Sequence, residues 1–194
     1  EWVRGGIEQP GRTEKIVLDL PDDVRVSPIG EGETLSGLLA RGEIDGLIGP
    51  RVPSCFGPKN NVGWLFQSPR AAATDYYRRT GIFPVMHLLG IRRELVERHP
   101  WLPGTVMKAF EAAKRVCTAR LADTSATKVM LPFVEEALQD ARGPMGDDFW
   151  SYGFAPNRVM LETFLTHHHA QGLSPRLVVP EELFHPSALE AVRI

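Results

Sequence analysis

The chain has 194 residues, which is enough for one large domain or two smaller lobes. Its apolar content of 43% is typical of a globular protein, and 22 basic against 24 acidic residues give a formal charge of −2. The basic residues are scattered along the sequence, which argues against a nucleic-acid partner. No apolar run approaches the ~20 residues that cross a bilayer, so no membrane insertion is expected.

The first fifty residues predict an α/β unit. Three short strands are expected, at Trp2–Arg4, Val24–Ile29 and Asp45–Gly49. Between the second and third strands, Thr34 can cap a helix over Leu35–Arg41, and Gly42 can end it. Strand, helix and strand in that order predict a right-handed βαβ unit with parallel strands.

The ends of these strands bear on function, because open parallel sheets bind ligands beyond their carboxyl ends. The three ends are Gly5-Gly6, Gly30-Glu31-Gly32 and Gly49-Pro50-Arg51. Arg51 is the one fixed cation among them, and its guanidinium suits a bidentate bond to a carboxylate. It opens a stiff loop, Arg51–Phe56, that also carries the hydroxyl of Ser54.

The rest of the chain becomes largely helical. A helix over 69–79 closed by Gly81 is followed by a predicted buried strand, Pro84–Ile91. Three longer helices are then expected, over Trp101–Asp123, 126–141 and Asn157–Gln171. The change in composition predicts a lobe boundary that separates residues 1–82 from residues 83–194.

His87 lies in the predicted strand and is the most suggestive titratable residue. Histidine is the side chain best suited to moving a proton near neutrality. A single histidine among apolar residues is more often a satisfied part of the core. Both interpretations, structural and catalytic, stay open on the residues alone.

Other groups predict no further site. Adjacent residues on a helix point about 100° apart, so His167-His168-His169 does not converge on a metal ion. No Gly-x-Ser-x-Gly sequence, phosphate loop or dinucleotide glycine signature occurs, so an enzyme that uses ATP or a dinucleotide is not expected.

The two cysteines and the first residues bear on location. Cys55 and Cys117 give neither a disulfide framework nor a metal-ligand spacing, and both are expected to be buried thiols. This favours a reducing, cytoplasmic compartment. The sequence opens on Glu1-Trp2-Val3-Arg4, without an initiator Met or a signal peptide, so a fragment or a processed product is expected. A preceding export signal, and with it a periplasmic location, stays open.

Several motifs, spread in order through the whole chain, together resemble one family. They are Trp2–Arg12, Gly42–Asp45, Arg51 with Pro53-Ser54-Cys55, Tyr77–His87, His99-Pro100-Trp101, Met145–Trp150, Tyr152-Gly153, Asn157-Arg158, and His169 with Gln171-Gly172-Leu173. The family they resemble is that of the 4,5-dihydroxyphthalate decarboxylases. The resemblance implies a two-lobe fold like that of type 2 periplasmic binding proteins. The chain is similar to the second lobe plus a largely helical segment that returns to the first lobe, without the N-terminal part of the first.

The resemblance also implies a reaction, the cofactor-independent conversion of 4,5-dihydroxyphthalate to 3,4-dihydroxybenzoate and CO2. Chemistry and motif match together give His87 the role of acid and Arg51 that of carboxylate ligand. The remaining substrate-binding candidates are Ser54, Thr80, Gly81, Arg4 and Arg158. Arg4 and Arg158 are reserve candidates that are more typical of surface ion pairs.

Two other functions remain open at this point. The same fold would serve a non-catalytic solute-binding protein that captures a small aromatic acid for an ABC-type transporter. A thiamine-pyrimidine-type binder or synthase has the same fold but no motif here to support it. Pairing with a second copy of the chain also stays open.

Overall fold

The computed structural model describes residues 1–12, 19–85, 87–126 and 128–189. These residues form an α/β structure in which helices predominate over a small parallel sheet. Its strands and helices are β1 (Trp2–Arg4), β2 (Val26–Pro28), α1 (Leu35–Arg41), α2 (Pro69–Thr80), α3 (Arg93–Arg98), α4 (Leu102–Ala122), α5 (Val134–Met145), α6 (Phe154–Ala170) and α7 (Pro186–Leu189). The chain divides into two compact units. The first comprises Glu1–Ala72 with His168–Pro175, and the second comprises Ala73–His167 with the residues from Arg176 onward.

The first unit contains the sheet and α1. Strands β1 and β2 are parallel and in register, with Trp2 opposite Val26. Helix α1 has the predicted bounds because both of its ends are capped. The Thr34 hydroxyl accepts the Gly37 N–H at 3.0 Å, and Gly42 ends the helix in the left-handed region with φ of 72°.

The predicted βαβ unit is wrong in its last strand. Residues 45–49 form no strand, and the side chain of Ile48 is 88% exposed. A strand needs the backbone of a neighbour, and within the described residues none pairs with this segment. The parallel pair that does form joins β1 to β2, ahead of α1, and the described part of its connection is irregular.

The second unit is built from helices. Helix α4 confirms the predicted helix to within one residue at each end, although Phe110 and Val116 of its apolar side are exposed. Helix α5 begins at Val134, eight residues later than the predicted start at 126. Helix α6 begins at Phe154, slightly before the expected Asn157. Among the described residues of this unit, α3, α5 and α6 contribute the buried side chains of Val96, Leu138, Phe154, Leu161 and Leu165.

Two burial predictions are also wrong. Pro84–Ile91 forms no strand in its described residues, and His87 is exposed in an irregular segment. No described backbone pairs with this segment, so its apolar sequence does not suffice to make a strand. Cys55 is buried as expected, but Cys117 is exposed on α4.

Among the described residues, no helix is both long enough and apolar enough to cross a membrane. The lobe boundary expected between residues 82 and 83 stays a prediction.

Candidate functional site

In the first unit, the chain turns sharply after β1 and meets the start of α1. A Cβ atom on Gly6 would lie 1.9 Å from the Gln9 carbonyl oxygen, so the tight turn requires glycine. The carbonyl oxygens of Gly6 and Ile7 accept the N–H groups of Leu35 and Ser36, each at 3.0 Å. With Thr34 already binding the Gly37 N–H, the first amides of α1 have partners within the protein.

Glu8 follows this turn and is the centre of a polar network, called here the Glu8 network. Its two carboxylate oxygens accept the backbone N–H of Ser54 at 2.7 Å and the Ser54 hydroxyl at 2.8 Å. The buried Ser36 hydroxyl lies 3.1 Å from the Ser54 hydroxyl and accepts the Cys55 N–H at 3.3 Å. The backbone and hydroxyl bonds from Ser54 lower the pKa of the Glu8 carboxyl. Glu8 is therefore suited to accept hydrogen bonds and not to act as an acid near neutrality.

The loop held by this network is also fixed from its other side. The side-chain amide of Asn60 donates to the Cys55 carbonyl at 2.9 Å, and the Phe56 N–H donates to the Pro53 carbonyl at 3.0 Å. The rings of Phe56 and Trp64 lie 5.0 Å apart. The Arg51–Phe56 loop therefore has a defined backbone, with contacts to three other segments of the first unit.

Arg51 lies at the start of this fixed loop and is exposed. Its guanidinium makes no hydrogen bond or ion pair with any of the residues that the structure describes. An exposed arginine on a rigid loop can bind a carboxylate without first breaking an internal ion pair. Ser54 is less available than expected, because its hydroxyl proton is committed to Glu8.

Arg4 is the second arginine of the first unit among the predicted residues. Its side chain is exposed at the end of β1, and its carbonyl accepts the Ile29 N–H at 3.0 Å. The structure gives this side chain no partner within the described ranges. Arg4 remains a reserve candidate for an anion.

In the second unit, Thr80 and Gly81 serve the end of α2. The Thr80 hydroxyl donates to the Tyr76 carbonyl at 2.8 Å and accepts the Ile82 N–H at 3.1 Å. The Gly81 N–H donates to the Tyr77 carbonyl at 2.7 Å, and the positive φ of Gly81, 67°, ends the helix. Both donors that were expected to meet a ligand are used within the protein.

His87 and Arg158 also belong to the second unit. His87 is exposed, so its ring is open to a reactant. Arg158 contacts Glu162 at 2.8 Å and Glu181 at 2.7 Å, and its guanidinium lies 5.7 Å from the centre of the Phe154 ring. These contacts agree with the role of Arg158 in ion pairs, which the sequence analysis gave as the alternative to substrate binding.

A second polar centre in this unit, called here the Lys114 cluster, was not predicted. Only 13% of the Lys114 side chain is exposed. Its ammonium contacts Glu111 at 3.0 Å, Asp148 at 2.8 Å and the Trp150 carbonyl at 3.2 Å, and it lies 4.8 Å from the centre of the Tyr152 ring. Burial lowers the pKa of Lys114, but the bonds to Asp148 and Glu111 outweigh it, and the net pKa is raised. A groove of about 350 Å³ lies beside the cluster, between α4 and Arg142.

The histidine run lies near the end of α6, where the Nδ1 atom of His169 is 3.0 Å from the Ser174 carbonyl oxygen. Among the described residues, no three or more His, Cys, Asp or Glu side chains are grouped closely enough to hold a metal ion.

Comparison with known proteins adds what the geometry does not. No family model matches the chain. A 4,5-dihydroxyphthalate decarboxylase of Comamonas testosteroni is 55% identical over 195 aligned positions, which cover all of this chain and 59% of that protein. The chain is thus similar along its whole length to a protein of that name. A second 4,5-dihydroxyphthalate decarboxylase, from Pseudomonas putida, is 58% identical over 78 residues, which are 40% of this chain and 30% of that protein.

The similarity extends through both units, because the Comamonas alignment covers the whole chain. The chain nevertheless spans only 59% of the length of that protein.

Of the predicted residues, Arg51, Ser54 and Arg4 belong to the first unit, and Arg51 shares a loop with Ser54. His87, Thr80, Gly81 and Arg158 belong to the second unit. Sequence reasoning missed Glu8, although Gly6-Ile7-Glu8 belongs to a family motif that follows β1. The signal that could have found it is a carboxylate directly after a glycine pair at the carboxyl end of a parallel strand.

Proposed function

We propose that this protein is a carboxy-lyase that converts 4,5-dihydroxyphthalate to 3,4-dihydroxybenzoate and CO2. The observation that supports the proposal best is the 55% identity, across the entire chain, to a protein named for that decarboxylase activity. The exposed Arg51 on a fixed loop agrees with a dianionic substrate. We extend the proposal to a two-lobe fold like that of type 2 periplasmic binding proteins, and to a cytoplasmic location.

The reaction can proceed on the substrate's own ring. Each carboxylate of 4,5-dihydroxyphthalate is para to a hydroxyl group, which can supply electron density to the carbon that bears the carboxylate. A proton added to that carbon breaks the aromaticity of the ring. Cleavage of the bond to the carboxylate then releases CO2, and its electron pair restores the ring. The protein has to supply a proton and a cation for the carboxylate that is retained.

The residues of the chain divide these roles in the proposal. Arg51 binds the retained carboxylate, because its guanidinium is exposed and makes no internal ion pair within the described residues. His87 donates the proton, since its ring is exposed and histidine is the side chain that most often serves as a general acid. Ser54 accepts a hydrogen bond from a phenolic hydroxyl, because its own proton is directed to Glu8. Thr80, Gly81 and Arg158 have no part in this mechanism, since their polar groups are bound elsewhere.

The proposal is tested by incubating the complete protein with 4,5-dihydroxyphthalate and following the release of CO2. Turnover is expected, and His87→Ala should lower kcat by about a hundredfold or more while KM stays within about tenfold. His167→Ala is the matched control, because His167 is an exposed histidine of the same unit. Equal activity of His87→Ala and the control would remove His87 from the acid role. Tight binding of an aromatic acid without any CO2 release would favour a solute-binding protein instead.

A further inference from the structure

The proposed reaction gives Glu8 of the first unit no role, so it does not explain why the carboxylate of this residue is held in place. An exposed carboxylate usually has its oxygens in water, yet both oxygens of Glu8 are bound to Ser54. Ser54 is 46 residues away in sequence, so the bonds join two separate loops. One of these loops follows β1, and the other carries Arg51.

The bonds fix the backbone close to Arg51. Ser54 lies three residues after Arg51, and Pro53 between them restricts the φ angle of the chain. A carboxylate that accepts a backbone N–H fixes the position of the peptide unit and not only that of a side chain. The loop that carries Glu8 is itself held in place by the tight turn at Gly6. It is also held by the hydrogen bonds that the carbonyl oxygens of Gly6 and Ile7 accept from the start of α1.

We propose that Glu8 is a positioning residue that holds the Arg51 loop, through the N–H and hydroxyl of Ser54, in the conformation that binds the substrate carboxylate. This inference rests on the proposed function of Arg51. Glu8 is not a catalytic residue here, because both of its oxygens are directed to Ser54 and none to a reactant. A carboxylate is required because it accepts two hydrogen bonds at once, whereas a glutamine would turn one acceptor into a donor.

A double-mutant cycle tests the connection between Glu8 and Arg51. The variants are Glu8→Ala, Arg51→Gln and the double variant, made in the complete protein, with Asp22→Asn as an exposed acidic control in the same unit. The quantities measured are KM and kcat for 4,5-dihydroxyphthalate and, by calorimetry, Kd for phthalate, which has both carboxylates and no hydroxyl groups. Glu8→Ala is expected to raise KM and Kd about tenfold and to change kcat less than about threefold.

The decisive result is the double variant. If Glu8 acts through Arg51, adding Glu8→Ala to Arg51→Gln weakens binding no further, because the position of the missing guanidinium no longer matters. Additive losses would overturn the proposal, as would wild-type binding by Glu8→Ala. A fall in kcat with KM unchanged would equally contradict it.

A second variant distinguishes loss of the Glu8 hydrogen bonds from a general loss of structure. Glu8→Gln keeps the shape of the side chain and one acceptor, so it should fold and show a smaller rise in KM than Glu8→Ala. Equal KM values for Glu8→Gln and the wild type would contradict the need for the carboxylate. Failure of the proposed function is seen separately, as absence of CO2 release by the wild-type protein. Failure of the Arg51 role is seen as wild-type phthalate binding by Arg51→Gln.

Discussion

The Glu8 network and the Lys114 cluster are both built around one charged side chain, but they differ in exposure. Glu8 lies at the surface and accepts from a single residue, Ser54. Lys114 is largely covered and meets two carboxylates, a carbonyl oxygen and an aromatic ring. A charge that has lost most of its water depends on its partners, whereas an exposed charge can return to water when a partner is removed.

Because of this difference in exposure, we expect one of the two centres to matter mainly for stability and the other mainly for function. The Lys114 cluster joins α4 to the segment from Asp148 to Tyr152, and we expect it to matter mainly for the folding of the second unit. The Glu8 network joins two exposed loops, so we expect it to matter mainly for the position of Arg51. A substitution of Lys114 and acid acting on Glu8 test this separation of stability from function, and a substitution of the α1 cap gives an effect on stability of intermediate size for comparison.

Lys114→Met should give the largest effect, a loss of about 2 kcal/mol in the free energy of unfolding. The substitution keeps most of the apolar stem but leaves Glu111 and the Trp150 carbonyl without their cation. Urea unfolding measures the change, and Lys108→Met is the control, because Lys108 is an exposed lysine of the same helix. A loss no greater than that of the control would contradict the separation.

Thr34→Ala should have a moderate effect, a loss of about 1 kcal/mol, because it removes the acceptor that caps α1. The Gly37 N–H then loses its bond to the Thr34 hydroxyl. Thr34→Ser keeps that acceptor and should unfold at nearly the wild-type urea concentration. If both variants unfold together at a lower concentration, the methyl group of Thr34 and not the cap stabilises the helix.

The smallest effect should come from acid acting on Glu8. Its carboxyl pKa is lowered from 4.5 by the bonds from Ser54, so the carboxylate contributes stability above that value and loses it as pH falls through the lower, folded-state pKa. Protection of the Ser54 amide from hydrogen exchange, relative to its intrinsic rate, should therefore decrease below about pH 4.5. In Glu8→Gln the same protection should not change with pH over this range. Protection in the wild type that stays constant to pH 3 would contradict the assignment.

Local signals in the sequence were sufficient where a single segment determines its own structure. Helix α1 has its predicted bounds because Thr34 and Gly42 cap it within one turn at each end. Helix α4 differs from its predicted bounds by one residue at each end. The resemblance rests on motifs spread along the sequence, and 55% identity over the whole chain to a protein of that name confirms it.

Non-local structure was not predictable in the same way. Residues 45–49 and 84–91 have apolar sequences typical of strands, but a strand depends on a partner that local pattern does not reveal. The bonds between Glu8 and Ser54 span 46 residues, and no periodicity signals them. For the same reason, the commitment of the Thr80 hydroxyl to the end of α2 appeared only with the structure.

The two thiols differ in a way that has a practical use. Cys55, a residue of the Arg51–Phe56 loop, is buried, whereas Cys117 is exposed on α4. A maleimide reagent added to the native protein should therefore attach at Cys117 and spare Cys55. A fluorophore or spin label on Cys117 can therefore report on the motions of the second unit without any engineered cysteine.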